Sequence, residues 1–312
     1  MAPGTAPTTP SRSALDRPPP VDLVLIAVAV AAVSTSAPLI RQASAPALAI
    51  AMWRNVLATG VLAPYALLTA RRELLALDRR SQRLAVLAGL LLAAHFATWI
   101  PSLSFTTVAS SVALVATQPV WAALLAGRRG DHVPRAAWVG IGVAVTGAVV
   151  LTGIDLQISA RALFGDLLAV LGGALAAAYV TVGATVRETV STTTYTTLCY
   201  ATASVALLVT CVVGGQQLWG YTAGTWWALL GLTAGAQLLG HSVFNRVLRT
   251  TSATVVSVAI LFEIVGATLL ARLWFGERPP LAALPAAALI AAGVVLVVRS
   301  GRSGGTAAPV LD

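Results

Sequence analysis

The sequence predicts an all-α polytopic membrane protein, with ten transmembrane helices arranged as two five-helix repeats of inverted topology. Three observations support this prediction: the composition, the distribution of the arginines and an internal repeat. The 312 residues are 57% hydrophobic and 10% charged, with a mean hydropathy of +0.85. Because soluble domains contain about 25% charged residues, the composition argues against an ordinary soluble globule and excludes a disordered chain.

Ten apolar runs have about the length that one helical span requires, which is about 20 residues. These runs are residues 22–40, 46–69, 84–103, 107–126, 136–153, 163–184, 195–213, 225–245, 252–271 and 281–298. Residues 1–20, rich in Pro, Thr and Ala, are expected to form a disordered cytoplasmic tail, and residues 300–312 a second cytoplasmic tail. No stretch is left for a separate soluble domain of about 50 residues or more.

The arginines predict the orientation of the chain. All 20 basic residues are arginines, against 11 acidic residues, which gives a net charge of +9. With a cytoplasmic N-terminus, 15 arginines fall in cytoplasmic segments, 4 fall on the other side, and Arg54 lies inside a span. Cytoplasmic loops of membrane proteins are enriched in basic residues. The bias therefore predicts cytoplasmic termini, and it explains the charge without a nucleic-acid partner. The Ala-rich, lysine-free composition suggests a bacterial inner membrane.

An internal repeat relates the first half of the chain, residues 21–155, to the second half, residues 161–299. Two pairs of matching segments are separated by 144 residues: Val21-Asp22-Leu23 with Gly165-Asp166-Leu167, and Thr106-Thr107-Val108-Ala109 with Thr250-Thr251-Ser252-Ala253. A third pair is separated by 146 residues: Gly147-Ala148-Val149-Val150-Leu151 with Gly293-Val294-Val295-Leu296. Because five spans is an odd number, the second copy must enter the membrane from the opposite side. Inverted repeats of this kind are characteristic of secondary transporters. The repeat also makes residues 22–40 a retained span rather than a signal peptide.

Several short motifs in order resemble those of one transporter family. They are Trp53-Arg54-Asn55, Gln118-Pro119-Val120, Leu248-Arg249-Thr250-Thr251-Ser252-Ala253, Phe262-Glu263-Ile264-Val265 and Phe275-Gly276-Glu277-Arg278. Over residues 20–298 the chain resembles the EamA-like family of the drug/metabolite transporter superfamily. It departs from the family at Ile264, where the family has Pro, and at Gly127-Arg128-Arg129, where the first half lacks the Glu of the Gly-Glu motif.

The resemblance implies export or exchange of small metabolites such as amino acids, with spans 1–4 and 6–9 around the substrate. We therefore expect a secondary transporter that exports a small polar metabolite by alternating access. Two alternatives stay open: an uncoupled facilitator or channel, and a membrane enzyme or scaffold acting on lipid-like substrates. The sequence contains no P-loop, no His-x4-Asp or Glu-x-x-His pair and no cysteine cluster, so no enzyme activity, cofactor or metal is expected. The expected partners are the substrate and the lipid bilayer.

Polar residues deep in the spans are the candidates for substrate binding. A charge at the centre of a span costs about 2.5–3.5 kcal/mol, so such residues tend to face the interior of the bundle. The predicted substrate-binding residues are His95, Trp99, Gln118, Tyr179, Gln237, His241, Asn245 and Glu263. Glu263 and His241 are also the candidates for proton coupling. The alternative for Glu263 is a hydrogen-bonded structural role.

Helical spacing predicts which of these residues share a face. Glu263 shares a face with Ser252, Val256 and Ala259, which would turn small residues and the carboxyl toward a cavity. In the eighth span, the three polar residues at positions 237, 241 and 245 form one stripe, suited to a cavity wall or to hydrogen bonds between helices. His95 and Trp99 also share a face, although an interface tryptophan and a packed histidine would show the same spacing.

The other polar positions allow a structural interpretation beside the functional one. Arg54 could bind an anionic group, or pair with a backbone carbonyl or Glu263 to hold the bundle together. Pro119 next to Gln118 is expected to break the fourth span. Tyr179 could serve helix packing. Two aspartates, Asp22 and Asp166, lie at matching helix starts and are predicted to be helix caps.

Overall fold

The computed structural model describes residues 18–106, 111, 114–115, 117–152, 159–276 and 283–300. Within these residues, all regular secondary structure is helical. The helices are α1 (Pro20–Val33), α2 (Ser36–Gln42), α3 (Ala47–Thr69), α4 (Arg71–Ala76), α5 (Arg79–Ser102), α6 (Gln118–Arg128), α7 (Arg135–Thr152), α8 (Ala160–Arg187), α9 (Thr192–Val213), α10 (Ala223–Leu232), a π-helix (Thr233–His241), α11 (Ser242–Val247), α12 (Ala253–Ile260), α13 (Phe262–Phe275) and α14 (Ala283–Ser300). Residues 1–17 and 301–312 of the predicted tails, and the Glu277-Arg278 part of the Gly-Glu motif, lie outside the described residues. Pro20 and Ser300, assigned to the tails from the sequence, belong to α1 and α14.

Six helical stretches are long and apolar enough to cross a bilayer, judged by length and composition over the described residues. They are Pro20–Gln42, Ala47–Thr69, Arg79–Ser102, Ala160–Arg187, Thr192–Val213 and Ala253–Trp274. The other four predicted spans, at 107–126, 136–153, 225–245 and 281–298, overlap helices α6, α7, α10–α11 and α14 but are not among these six. The chain is therefore an all-helical, multi-pass membrane protein, and the count of ten spans stays a prediction.

Polar residues in front of several helices explain where those helices begin. The side chains of Asp78, Ser159, Ser191, Thr222 and Ser252 each accept a hydrogen bond from a backbone N–H in the first turn of α5, α8, α9, α10 and α12. Such caps satisfy N–H groups that have no partner within the helix, and each contributes about 1 kcal/mol. α13 ends at Gly276, whose φ of 66° is a left-handed conformation that favours glycine.

Three of the predicted spans are not regular α-helices. The first is interrupted at Ser34–Thr35, where the Ser34 and Thr35 hydroxyls donate to the carbonyls of Val30 and Ala32 at 2.8 and 2.7 Å. Hydroxyls that bond back to the preceding turn often bend a helix. The ninth predicted span is interrupted at Leu261, between α12 and α13, and the eighth contains the nine-residue π-helix. Hydropathy alone predicts none of these interruptions.

The sequence repeat relates the helix pairs that pack against each other in this fold. The helix of the third run, α5, packs along the helix of the sixth, α8, and the eighth run packs on the first in the equivalent way, through the π-helix, α11 and α1. α3 packs on α9, and α7 on α14, which are pairs of repeat-related helices. The tertiary contacts therefore follow the same two-fold relation as the sequence repeat.

Helices α7 and α14 make the closest contact of this kind. A Cβ atom added at Gly293 would lie 2.5 Å from the Gly140 carbonyl oxygen, and one added at Gly147 would lie 2.8 Å from the Ala286 carbonyl oxygen. Positions 140 and 286 are related by the offset of 146, as are positions 147 and 293, so the repeat converts one contact into the other. From position 140 to position 147 in α7, the contacted position in α14 falls from 293 to 286. The two repeat-related helices are therefore antiparallel.

Asp22 and Asp166 join the halves instead of capping helices, so the prediction of caps was wrong. Thr250 and Thr251 donate hydroxyl hydrogen bonds to Asp22, the latter at 2.9 Å. Thr106 donates to Asp166 at 2.7 Å. Both pairs link residues of different halves, and the offset of 144 relates Asp22 to Asp166 and Thr106 to Thr250. Contacts between residues so far apart in sequence depend on how the halves dock.

A further contact between the halves involves the short helix α4. Glu73 accepts hydrogen bonds from the backbone N–H of Ser191 at 2.7 Å, from the Ser191 hydroxyl, and from the Thr194 hydroxyl at 2.6 Å. Partial burial raises the pKa of the Glu73 carboxyl, but these hydrogen bonds outweigh burial and lower it below its ordinary value. The Glu73 carboxylate therefore links α4 to the first turn of α9 by hydrogen bonds.

Candidate functional site

A cavity lies inside the helix bundle, with walls from both halves of the chain. Its volume is about 90 Å³. Most of its surface is apolar, and polar and charged side chains interrupt that surface. The polar and charged residues predicted from the sequence that line it are Arg54, His95, Trp99, Gln118, Tyr179, His241, Asn245 and Glu263.

The structure therefore brings together seven of the eight predicted substrate-binding residues, with Arg54 as an eighth polar member. The exception is Gln237, which is fully buried and absent from the cavity wall. Its side-chain oxygen accepts a hydrogen bond from Arg54 Nε at 2.8 Å, and its amide nitrogen donates to Asn55 Oδ1 at 3.1 Å. Gln237 thus lies behind the wall and holds Arg54.

Gln237 and His241 both lie in the π-helix, but only His241 reaches the cavity wall. Gln237 is directed toward α3, whereas the His241 ring lies 5.7 Å from that of Phe96 and 6.4 Å from that of Tyr179. Of the stripe predicted for the eighth span, His241 and Asn245 therefore line the cavity, and Gln237 and Asn245 make hydrogen bonds between helices. π-Helical turns occur frequently at functional sites.

Arg54 is held from two sides and has donors left over. It is 0% exposed, its Nε is bonded to Gln237, and its guanidinium carbon lies 4.3 Å from the centre of the Phe96 ring. Within the described part of the chain, Nη1 and Nη2 have no hydrogen-bond partner. Over the described ranges, neither a backbone carbonyl nor Glu263 accepts a hydrogen bond from Arg54, and its partner is the Gln237 side chain instead.

His95 and Trp99 form a stacked pair on one wall. Their ring centres are 5.8 Å apart and the rings are tilted by 7°. His95 Nδ1 lies 2.9 Å from the Gly172 carbonyl oxygen on α8. Because a carbonyl only accepts, this contact assigns the hydrogen to Nδ1. Trp99 Nε1 is buried without a hydrogen-bond partner among the described residues.

Tyr179 and Gln118 connect the helices around the cavity. The Tyr179 hydroxyl donates to Asn245 Oδ1 at 2.8 Å, which joins α8 to α11. Gln118 Nε2 donates to the Ser257 hydroxyl at 3.0 Å, which joins α6 to α12. Pro119 is the second residue of α6, where it removes no helical hydrogen bond. The break expected at this proline therefore lies at the start of α6.

Glu263 lies in the first turn of α13, half-buried in the cavity wall. The small-residue face predicted for it is not the one that faces the cavity. Ser257, Ile260 and Ile264 line the cavity beside Glu263, whereas Val256 and Ala259 are packed against other helices. The interruption at Leu261 shifts the register between α12 and α13, which a continuous helical pattern does not anticipate.

Sequence reasoning missed three residues that complete the site. Asn55 orients Gln237, Phe96 covers one face of Arg54, and Ser257 accepts from Gln118. Asn55 is the one with a usable sequence signal, since an amide next to an arginine deep in a span is costly without a partner. Phe96 and Ser257 look like ordinary packing residues until their neighbours are known.

The fold and the cavity define a class, a multi-pass helical membrane protein with a polar site enclosed between two related halves. The model of the EamA-like transporter family matches the chain twice, over residues 21–153 and 163–299. The chain therefore belongs to the EamA-like transporter family of the drug/metabolite transporter superfamily, as the motifs predicted.

One solved structure, described only as "Crystal structure of protein", has the same fold. It matches with a TM-score of 0.76 and 18% sequence identity, and the match covers 92% of this chain and 99% of that one. At this identity the likeness concerns the fold alone. No curated protein matches the sequence.

Proposed function

We propose that the protein is a secondary transporter that exports a small polar metabolite, such as an amino acid or a related compound, by alternating access. One observation carries the proposal: in a chain of a transporter family, polar residues from both halves line one cavity inside the bundle. Polar groups inside a membrane protein are costly and commonly mark a substrate path.

The packing supports an inverted repeat, an architecture that many secondary transporters with alternating access have. Repeat-related helices α7 and α14 are antiparallel, and the helix pairs of one half have counterparts in the other. In transporters with such repeats, the substrate binds at the interface of the repeats and one half rocks against the other. From this packing and from the arginine distribution we propose ten spans, with both termini in the cytoplasm of a bacterium.

Proton exchange would supply the driving force if Glu263 or His241 titrates during transport. Both side chains line the cavity and are only half-buried, so a proton can reach them when the cavity opens. We expect transport to change between about pH 5.5 and 8, the range in which histidine side chains commonly titrate. Equal transport across this range, in the wild type and in Glu263→Gln, would exclude coupling at Glu263.

The decisive experiment is metabolite profiling of the medium around cells that produce equal amounts of two proteins. One is the wild type and the other is the His241→Ala/Glu263→Gln double variant. His132→Ala/Glu188→Gln is a matched control, because it makes the same chemical changes at exposed positions away from the cavity. A metabolite enriched outside with the wild type and the control, but not with the cavity variant, would identify the substrate and establish export.

Transport by purified protein in liposomes separates the proposal from an uncoupled facilitator. An exporter coupled to protons builds a substrate gradient when a proton gradient is imposed. A facilitator only dissipates a substrate gradient that already exists. Equal profiles for all cells, together with no flux in liposomes, would refute a transport function.

A further inference from the structure

Five arginines lie around the short helix α4, on the side of the bundle that the proposed orientation places in the cytoplasm. They fall within thirteen residues of sequence, and all five are exposed: Arg71, Arg72, Arg79, Arg80 and Arg83. The segment that holds them, residues 67–83, includes the end of α3, all of α4 and the start of α5. We call it the α4 surface.

The two carboxylates of the α4 surface are both bound by the protein itself. Glu73 accepts hydrogen bonds from Ser191 and Thr194. Asp78 caps α5 and accepts from the backbone N–H and the hydroxyl of Ser81, at 2.7 and 2.8 Å. Within the described part of the chain, the side chains of the five arginines donate no hydrogen bond and form no ion pair. The α4 surface therefore carries positive charge that no contact within these residues neutralises.

The sequence repeat shows that the fold does not require these arginines. The offset of 144 relates Asp78 to Thr222, and each of these two residues caps the helix that begins at the next residue. The five positions related to the arginines carry no charge: Gly215, Gln216, Ala223, Gly224 and Trp227. The same turn into a capped helix thus forms without basic residues. Arg79 and Arg80 even lie in the first turn of α5, where the helix dipole disfavours positive charge.

Exposed leucines accompany the arginines. Leu67 and Leu68 in the last turn of α3 are 58 and 86% exposed, and Leu75 in α4 is 78% exposed. At the end of a membrane span, such leucines meet the acyl chains of lipids. Arginine side chains beside them reach the level of the lipid phosphates. A soluble anion would contact the arginines but leave the leucines uncovered.

We propose that the α4 surface binds an anionic phospholipid of the cytoplasmic leaflet, with the arginines on its phosphate and the leucines against its acyl chains. Basic segments next to a membrane span attract anionic lipids, and the guanidinium fork matches phosphate oxygens. Membrane orientation alone does not explain the arrangement, because arginines anywhere in the cytoplasmic loops would serve it. The leaflet follows from the proposed orientation, and nothing in the inference depends on transport.

Native mass spectrometry of the purified wild type in detergent tests the proposal, because it counts the lipids that stay bound to each protein molecule. The probes are dioleoyl phosphatidylglycerol, which is anionic, and dioleoyl phosphatidylcholine, which has the same acyl chains and no net charge. They are titrated separately. We expect phosphatidylglycerol to bind at lower concentration than phosphatidylcholine, and equal binding of the two lipids would overturn the proposal.

A triple variant assigns the binding to the α4 surface. We expect roughly tenfold to hundredfold weaker binding of phosphatidylglycerol in Arg72→Gln/Arg79→Gln/Arg83→Gln, since each arginine near a membrane surface contributes to the attraction. These side chains are exposed, so the variant should fold, and its thermal unfolding verifies this. Undiminished binding in the folded variant would refute the assignment.

A matched control and a soluble probe separate the α4 surface from two simpler explanations. Arg128→Gln/Arg135→Gln/Arg246→Gln removes the same charge at exposed cytoplasmic positions elsewhere and should bind phosphatidylglycerol as the wild type does. Equal weakening in both triple variants would show a general attraction to the basic side of the protein, and the proposal would fall. It would also fall if glycerol phosphate, which has no acyl chains, bound as tightly as phosphatidylglycerol.

Discussion

A methyl group added at Gly293 tests the contact between α7 and α14. The new Cβ would lie 2.5 Å from the Gly140 carbonyl oxygen and 2.6 Å from the backbone nitrogen and Cβ of Ala144. All three atoms belong to or adjoin a helix backbone, so no side chain can rotate away and the helices must separate. Overpacking of this kind typically costs about 1–3 kcal/mol.

Gly142→Ala is the matched control for Gly293→Ala. Gly142 is also in α7, and a Cβ there meets nothing within 4 Å. Alanine is favoured over glycine inside a helix by about 0.8–1 kcal/mol, a gain that both variants share. The difference between the two variants therefore isolates the overpacking, and we expect Gly293→Ala to be less stable than Gly142→Ala by about 1–3 kcal/mol.

Thermal unfolding in detergent, followed by tryptophan fluorescence, measures the difference. For chains of 150–250 residues, 1 kcal/mol corresponds to about 2–4 °C, so the Gly293→Ala transition should lie several degrees below that of Gly142→Ala. Equal transitions would show that α7 and α14 do not meet through these glycines. The antiparallel packing of the two repeats would then lose its main support.

Three further predictions concern contacts that join the halves. Asp22→Asn and Asp166→Asn should each lower the unfolding free energy by about 1–3 kcal/mol, because each replaces the charged acceptor of the threonine hydroxyl hydrogen bonds. Unaltered thermal unfolding of either variant would contradict the paired contacts. The folded-state pKa of Glu73 lies below its ordinary value of 4.5. The stabilisation by the Glu73 carboxylate is therefore present above pH 4.5 and is lost as the pH falls through the folded-state pKa. The difference in unfolding free energy between the wild type and Glu73→Gln should shrink below about pH 4.5. A difference that does not depend on pH would refute the role of the carboxylate. A double-mutant cycle of Gln118→Ala and Ser257→Ala should give a coupling of about 1 kcal/mol in unfolding, and strict additivity would show that their hydrogen bond does not hold α6 to α12.

The sequence alone determined the class of the molecule and most of the polar residues in its cavity wall. A chain with 10% charged residues cannot cover a soluble surface, so the hydrophobic composition and the arginine distribution indicate a membrane protein before any contact is known. Deep polar residues in such a chain must avoid lipid. This one constraint is enough to place His95, Tyr179 and Glu263 in the interior of the bundle, where the structure has them.

Only the tertiary structure decided which polar residues meet. Periodicity assumes a continuous α-helix, and it failed where Leu261 interrupts the ninth run. It also could not show that Gln237 would bind Arg54 while His241, four residues on, lines the cavity. The partners of Asp22 are 228 and 229 residues away, and local sequence carries no information about such a distance. How two helices dock depends on every side chain between them, and that docking left two donors of Arg54 without an acceptor among the described residues.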